Sequence, residues 1–126
     1  MAEDLNLIQS IFEHAPFGAC AFDDQGIIRY ANPRFQSTLF EDRQTIIGES
    51  VYDGIPRLLL DEGLSNHIRD LIDHDEVFAL NLETYSAPKV REAGLFNVFG
   101  YRHAPFYILV CERIWGLASD TRYRNL

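Results

Sequence analysis

The chain has 126 residues, a formal net charge of −8 and an apolar residue fraction of 47%. This length suits a single domain with its own hydrophobic core, and the apolar fraction excludes a disordered chain. The negative net charge argues against general nucleic-acid binding, and no apolar run is long enough to span a membrane.

The first third of the sequence predicts a helix followed by a β-hairpin. Apolar residues in 5–15 recur at helical spacing and form a broad stripe, which Pro16 ends. Two short apolar runs, 17–22 and 27–31, flank the acidic turn 23–26. This arrangement is typical of a hairpin.

Short helices are predicted in the middle of the chain. Asn32 precedes Pro33, so we expect Asn32 to cap a helix that starts there. On that basis alone, replacing Asn32 by Ala should cost about 1 kcal/mol of stability. Ser50 is placed to cap a further short helix, and residues 58–76 carry the longest helical pattern, with Gly63 as a potential break.

The last third of the chain changes to the two-residue period of β-strands. Residues 77–85 alternate between apolar and polar side chains, and two further strands, 95–102 and 106–114, are joined by a short turn. Residues 106–111 are apolar on both faces, so this strand needs cover on both sides of its sheet. The order of elements predicts an α+β domain with one antiparallel sheet.

The residues at the N-terminus and the two cysteines bear on location. Glu3 and Asp4 stand where an export signal would carry basic residues, and Cys20 and Cys111 form no metal-ligand motif. We therefore expect a cytoplasmic protein with free thiols.

Three segments in this order resemble a PAS domain, the sensory module of many bacterial signalling proteins. They are residues 11–18, which enter the first strand; residues 23–35, a hairpin that runs into the Asn-Pro helix start; and residues 46–53, which Pro56 follows. The resemblance covers residues 8–114. It implies a five-stranded antiparallel sheet with the first and last strands central. Short helices would enclose a pocket on one face, and the N-terminal helix would pack on the other face or pair with a second subunit.

The resemblance divides the chain into three parts. Residues 1–16 form the N-terminal amphipathic helix, residues 17–115 the PAS-like sensory domain, and residues 116–126 a C-terminal tail. The sequence Glu-Arg-Ile at 112–114 stands where many relatives carry an Asp-Ile-Thr turn that leads to an output helix. Because of this departure, the sequence does not establish the usual coupling to a fused C-terminal effector. The alternative is that the domain signals by contact with a protein partner.

The family arrangement also implies which strand faces line the pocket. If the first strand ends at Asp23, Cys20 points toward the pocket, while the same alternation on the last strand turns Cys111 outward. The two sulfurs would then lie on opposite sides of the sheet and could not form a disulfide. In strand 95–102, Asn97 and Tyr101 share the face opposite Arg102, so they are expected to place polar groups in an apolar pocket.

From these faces we assign two sets of candidate residues. The ligand-binding set, on the pocket face of the strands and on the helices, comprises Cys20, Phe22, Ile28, Tyr30, Phe35, Leu39, His67, Ile68, Leu71, Asn97, Tyr101 and Ile108. The dimer-interface set, on the N-terminal helix and the outer sheet face, comprises Leu5, Ile8, Phe12, Ala15, Ala19, Ala21, Tyr107 and Leu109.

The interpretation is a non-catalytic sensory or interaction domain of a bacterial regulatory protein. It would act as a homodimer and bind a small apolar or aromatic ligand or a protein partner. The sequence does not identify a cofactor. A flavin–cysteine adduct is not expected, because both cysteines fall on strands.

Two alternatives remain. One is a haem-based gas or redox sensor, since haem-binding members of the family use a histidine on the helix that carries His67. The other is a small cone-shaped α+β isomerase or dehydratase, which would need Tyr30 or Tyr101 beside a carboxylate in the cavity.

Overall fold

The computed structural model describes residues 2–39, 46–54, 63–84 and 94–115. This part of the chain contains four helices and five strands. In chain order they are α1 (Ala2–Phe12), β1 (Gly18–Phe22), β2 (Ile28–Ala31), α2 (Pro33–Leu39), α3 (Val51–Gly54), α4 (Leu64–His74), β3 (Phe78–Thr84), β4 (Gly94–His103) and β5 (Phe106–Trp115).

The five strands form one antiparallel sheet in the order β2-β1-β5-β4-β3. The first and last strands of the chain are therefore neighbours inside the sheet, and β2 and β3 are its edges. The predicted α+β fold, with a five-stranded antiparallel sheet, short helices on one face and an N-terminal helix, is confirmed. The tail, 116–126, lies outside the described residues.

The helix boundaries have local physical causes. α4 begins after Gly63, which adopts a left-handed conformation with φ of 87°. It ends where Asp75 turns left-handed and the Asp75 N–H donates to the Leu71 carbonyl at 3.0 Å. The break expected at Gly63 is thus the helix start. α2 begins as predicted, because the Phe35 N–H donates to Asn32 Oδ1 at 2.8 Å.

Each face of the sheet carries its own cluster of buried side chains. We call the cluster beneath α2, α3 and α4 the helix-side core; its buried members are Cys20, Phe22, Ile28, Ala31, Phe35, Ile46, Val51, Leu64, Ile68, Leu71, Phe78, Val98, Tyr107, Leu109 and Cys111. We call the cluster beneath α1 the outer core; its buried members are Ile8, Phe12, Ala19, Ala21, Tyr30, Phe106 and Ile108.

The predicted faces of β5 are wrong. Tyr107, Leu109 and Cys111 lie in the helix-side core, whereas Ile108 lies in the outer core. The cause is the pairing with β1, in which Cys20 stands opposite Leu109. Side chains of paired residues share a face, so Leu109 must follow Cys20 inward. A strand that is apolar on both sides carries no signal for this choice.

The predicted face of β4 is wrong for a related reason. Tyr101 pairs with Ile108 and packs on the outer core, and Val98 is in the helix-side core, so Asn97 faces the outer side. The prediction used Arg102 as a marker of the outer face. Arg102 instead pairs with Tyr107 on the helix side, beyond the end of α4.

Tyr30 was also expected to face the pocket and does not. In β2 it pairs with Ala21 and is buried in the outer core beneath α1. Ile28 lies on the helix side as predicted, because a bulge in the β1–β2 pairing shifts the register between Ala21 and Phe22.

Candidate functional site

The candidate site is the space between the sheet and the short helices, where the helix-side core lies. Six of the predicted ligand-binding residues meet there with their side chains fully buried: Cys20, Phe22, Ile28, Phe35, Ile68 and Leu71. Four others, Tyr30, Asn97, Tyr101 and Ile108, are on the opposite face. The side chain of Leu39 lies outside the described residues.

Tyr107 is a site residue that the sequence assigned to the dimer interface. Its ring stacks on that of Phe22, with 5.8 Å between ring centroids, and its hydroxyl donates to the Ile72 carbonyl at 3.4 Å. It therefore joins the centre of the sheet to the last turn of α4. Only the register of β5 against β1 reveals this position.

His67 packs at the β3–β4 end of the site. Its ring centroid lies 5.2 Å from that of Phe78, and the Phe78 ring covers Gly100, where a Cβ atom would overlap it. The ring of His67 is thus in contact with an aromatic side chain. This position suits a packing histidine better than an iron ligand, so the described residues give the haem alternative no support.

The two thiols lie on the same face of the sheet. Cys20 stands opposite Leu109 and Cys111 opposite Gly18, so the cysteines are diagonal neighbours on adjacent strands. Both are free and buried. Diagonal Cα atoms are about 7–8 Å apart, beyond the usual span of a disulfide. The expected free thiols are present, but the predicted reason for them, opposite faces, is wrong.

Burial also disfavours the thiolate form of both cysteines. It raises the pKa of Cys111 to about 12. The pKa of Cys20 is raised well above its ordinary value, first by burial and then by the neighbouring Cys111. Since the thiolate is the nucleophile and the metal ligand, neither cysteine is prepared for chemistry at neutral pH.

Gln36, on α2, carries a polar atom that no prediction anticipated. Its Oε1 is buried and accepts no hydrogen bond, the one such side-chain atom in the described part of the chain. A buried acceptor without a donor is costly and calls for a bound molecule or water as its partner. Nothing in the sequence distinguishes Gln36 from a surface residue.

Comparison with known proteins places this arrangement in a family. The sequence profile of the PAS fold matches residues 12–112. The chain belongs to the PAS family. Members of this family are generally sensory domains, and a search of curated proteins finds no significant match.

Solved structures agree with this PAS assignment at the level of the fold. The LOV protein of Rhodobacter sphaeroides is 13% identical with a TM-score of 0.70, and the alignment covers 98% of this chain and 74% of that one. The PAS domain of BvgS from Bordetella pertussis is 11% identical with a TM-score of 0.67, over 98% and 95%. A sensory box sensor histidine kinase from Vibrio cholerae is 17% identical with a TM-score of 0.57, over 90% and 94%.

The outer face of this PAS domain is covered by its own N-terminal helix. Ile8 and Phe12, two residues of the predicted dimer interface, are buried against the sheet of the same chain. Of the other residues in that set, Ala19 and Ala21 are buried in the outer core, and Leu5 and Ala15 pack at its edge. Tyr107 and Leu109 lie on the opposite, helix side of the sheet. The apolar stripe of α1 therefore completes the fold of its own chain.

The turn after α1 is tied to β2 by a hydrogen bond. The Tyr30 hydroxyl donates to Glu13 Oε1 at 2.7 Å. Burial, followed by this carboxylate, raises the pKa of Tyr30 far above its ordinary value. The isomerase alternative needs such a tyrosine–carboxylate pair, but this pair lies in the outer core beneath α1 and not in the helix-side core.

No helix in the described ranges is long and apolar enough to cross a membrane.

Proposed function

We propose that this PAS domain is a non-catalytic sensor that holds a small molecule between its sheet and its short helices. The ligand has an apolar or aromatic body and one N–H or O–H group. The buried, unpaired Oε1 of Gln36 carries this proposal: we infer that it faces this space, whose described side chains in the helix-side core are largely apolar. A single hydrogen-bond donor on an apolar ligand would match that surface.

Native mass spectrometry of the chain purified from its own host tests the ligand. We expect a bound species in the native chain and a clearly lower occupancy in Gln36→Leu, which removes the acceptor at similar volume. Gln25→Leu is the matched control, since Gln25 is exposed in the hairpin turn. Absence of any bound species, or equal occupancy in both variants, would contradict the proposal.

Homodimerisation is the second part of the proposed function. Leu7 and Ile11, one helical turn apart on α1, are 49% and 54% exposed, and Phe99 on the outer face of β4 is 39% exposed. An exposed apolar helix edge and exposed apolar sheet surface on the same side of the domain suit a second copy of the domain. This interface differs from the predicted one, whose α1 residues pack on their own sheet.

Sedimentation tests the dimer. The double variant Leu7→Glu with Ile11→Glu should be monomeric at concentrations where the native chain is dimeric. Asn6→Glu, which places the same charge on an exposed position of the same helix, should leave the dimer intact. A native chain that sediments as a monomer would remove this part of the proposal.

The proposed setting is a bacterial signalling protein, in which the domain acts on a protein partner or a fused effector. The family's sensory role and the histidine kinase among the similar structures support this setting. A cytoplasmic location is proposed as well, supported by the two free cysteines.

A further inference from the structure

One side chain lies between the two faces of the sheet and contacts both. Asn32, between β2 and α2, is the fully buried polar residue of the described chain. Its side-chain amide makes four hydrogen bonds to main-chain groups that are far apart in sequence. An asparagine amide offers two N–H donors and one oxygen with two lone pairs, so its capacity is fully used.

The two ends of the amide serve different elements. Oδ1 accepts from the Ala19 N–H of β1 at 3.0 Å and from the Phe35 N–H of α2 at 2.8 Å. Nδ2 donates to the Phe12 carbonyl, at the end of α1, at 2.8 Å and to the Phe17 carbonyl at 2.9 Å. Capping of α2 requires only the bond to Phe35. The two bonds that Nδ2 donates hold the C-terminal end of α1 and the residues that follow it, which we call the α1 exit.

These bonds link a helix of the outer face to a helix of the helix side. α1 covers the outer core through Ile8 and Phe12, whereas α2 covers the helix-side core through Phe35. The amide is planar and fully bonded, so it cannot follow one helix without stretching its bonds to the other. Because the site is buried, water cannot replace a broken bond at low cost.

We infer that Asn32 couples the docking of α1 to the capping of α2. Loosening either helix lowers the stability of the other, and the effect is the same in both directions, as linkage requires. Asn32 is therefore a positioning residue through which a change under the short helices reaches the outer face. The coupling belongs to the chain itself and is testable without a ligand, so it stands or falls separately from ligand binding.

Native-state hydrogen exchange tests the coupling when α1 is weakened at a distance. Ile8→Ala removes buried apolar contacts of α1 in the outer core, a cluster that includes no residue of α2. We expect it to speed exchange of the Phe35 amide about fivefold or more, the lower end of typical coupling between sites. The β5 amides of the same sample, which report global opening, should change less.

The decisive comparison repeats Ile8→Ala in two other backgrounds. Asn32→Asp keeps the oxygen that caps α2 and removes both donors to the α1 exit. In this background, Ile8→Ala should speed exchange of the Phe35 amide no more than it speeds exchange of the β5 amides. In Tyr30→Phe, which removes only the hydrogen bond to Glu13 at the same exit, the effect of Ile8→Ala on Phe35 should persist.

A purely structural Asn32 gives a different pattern. Asn32→Asp would then lower overall stability and leave the effect of Ile8→Ala on Phe35 unchanged. That outcome, or a Phe35 amide that does not respond to Ile8→Ala in the native chain, overturns the inference. If Asn32→Asp does not fold, Asn32→Ser replaces it, since a serine oxygen still caps α2 but has no amide to reach Phe12.

Discussion

The two faces of the sheet are built from the same central strands but closed in different ways. The helix-side core draws large buried side chains from α2, α3 and α4. The outer core is covered by one helix, and β1 contributes only Ala19 and Ala21 to it. A face covered by a single helix has fewer elements to hold it closed, so we expect it to open more readily than the helix side. We therefore expect the helix side to contribute more to the stability of the domain than the outer side.

Thiol reactivity should separate the two faces most strongly. Cys20 and Cys111 both lie in the helix-side core, so a water-soluble thiol reagent must wait for the domain to open. Their reaction should be slowed at least about a thousandfold relative to the unfolded chain, given typical domain stabilities. Asn6→Cys, at an exposed position of α1 outside the proposed dimer interface, is the matched control, and its added thiol should react at once.

Mild oxidation extends this experiment. We expect no intramolecular bridge between Cys20 and Cys111, because diagonal neighbours are too far apart for one. A native chain whose two cysteines react as fast as the added thiol of the Asn6→Cys variant would contradict the burial of both cysteines in the helix-side core.

The second largest effect should be the loss of stability when a side chain of the helix-side core is shortened. Leu71→Ala empties a fully buried position of α4 and should cost about 3 kcal/mol, within the range for buried leucines. Leu7→Ala makes the same change on the exposed side of α1 and should cost little at concentrations where the chain is monomeric. Urea unfolding measures both. Equal costs for the two variants would contradict the contrast between the faces.

Asn32→Ala should cause the next largest loss of stability, because the Asn32 side chain is bonded to helices on both faces of the sheet. The sequence alone predicts a loss of about 1 kcal/mol for a helix cap. With four hydrogen bonds removed from buried main-chain groups, we expect about 2 kcal/mol or more. The midpoint of urea unfolding, with the exposed Asn6→Ala as control, decides between these values. A loss near 1 kcal/mol would mean that only the cap matters.

The smallest effect is expected in the hairpin turn, outside both cores. Partial burial opposes ionisation of Asp23, but hydrogen bonds from Ile27, Arg29 and Gln25 outweigh it and hold the pKa of Asp23 below its ordinary value. A lowered pKa in the folded state adds stability above the unfolded pKa, and that stability is lost as pH falls through the folded value.

An acid titration of stability therefore checks the turn. Between neutral pH and about pH 4, near the ordinary value of an aspartate, Asp23→Asn should be less stable than the native chain. The difference should be below about 1 kcal/mol, because water screens the ion pair between Asp23 and Arg29. It should shrink in stronger acid, where Asp23 becomes protonated. Asp24→Asn is the neighbouring exposed control. A difference that grows on acidification would show the wrong sign.

Element order and type were readable from the sequence because their signals are local. The helical spacing of α1, the turn between β1 and β2, the cap at Asn32 and the break at Gly63 each depend on a few neighbouring residues. The boundaries moved slightly: α1 runs from Ala2 to Phe12, whereas the pattern predicted 5–15. Its buried stripe was correctly identified, but its partner is the sheet of its own chain.

What only the tertiary structure decided is the direction in which the strands turn their side chains. β5 is apolar on both faces, so either parity satisfies its own sequence, and pairing of Cys20 with Leu109 selects one. That choice moves Tyr107 into the site and Tyr101 out of it. The distant main-chain groups that Asn32 reaches are likewise set by the tertiary fold. Local patterns determine which elements form, whereas register and long-range hydrogen bonds, which join residues far apart in the chain, determine what the elements enclose.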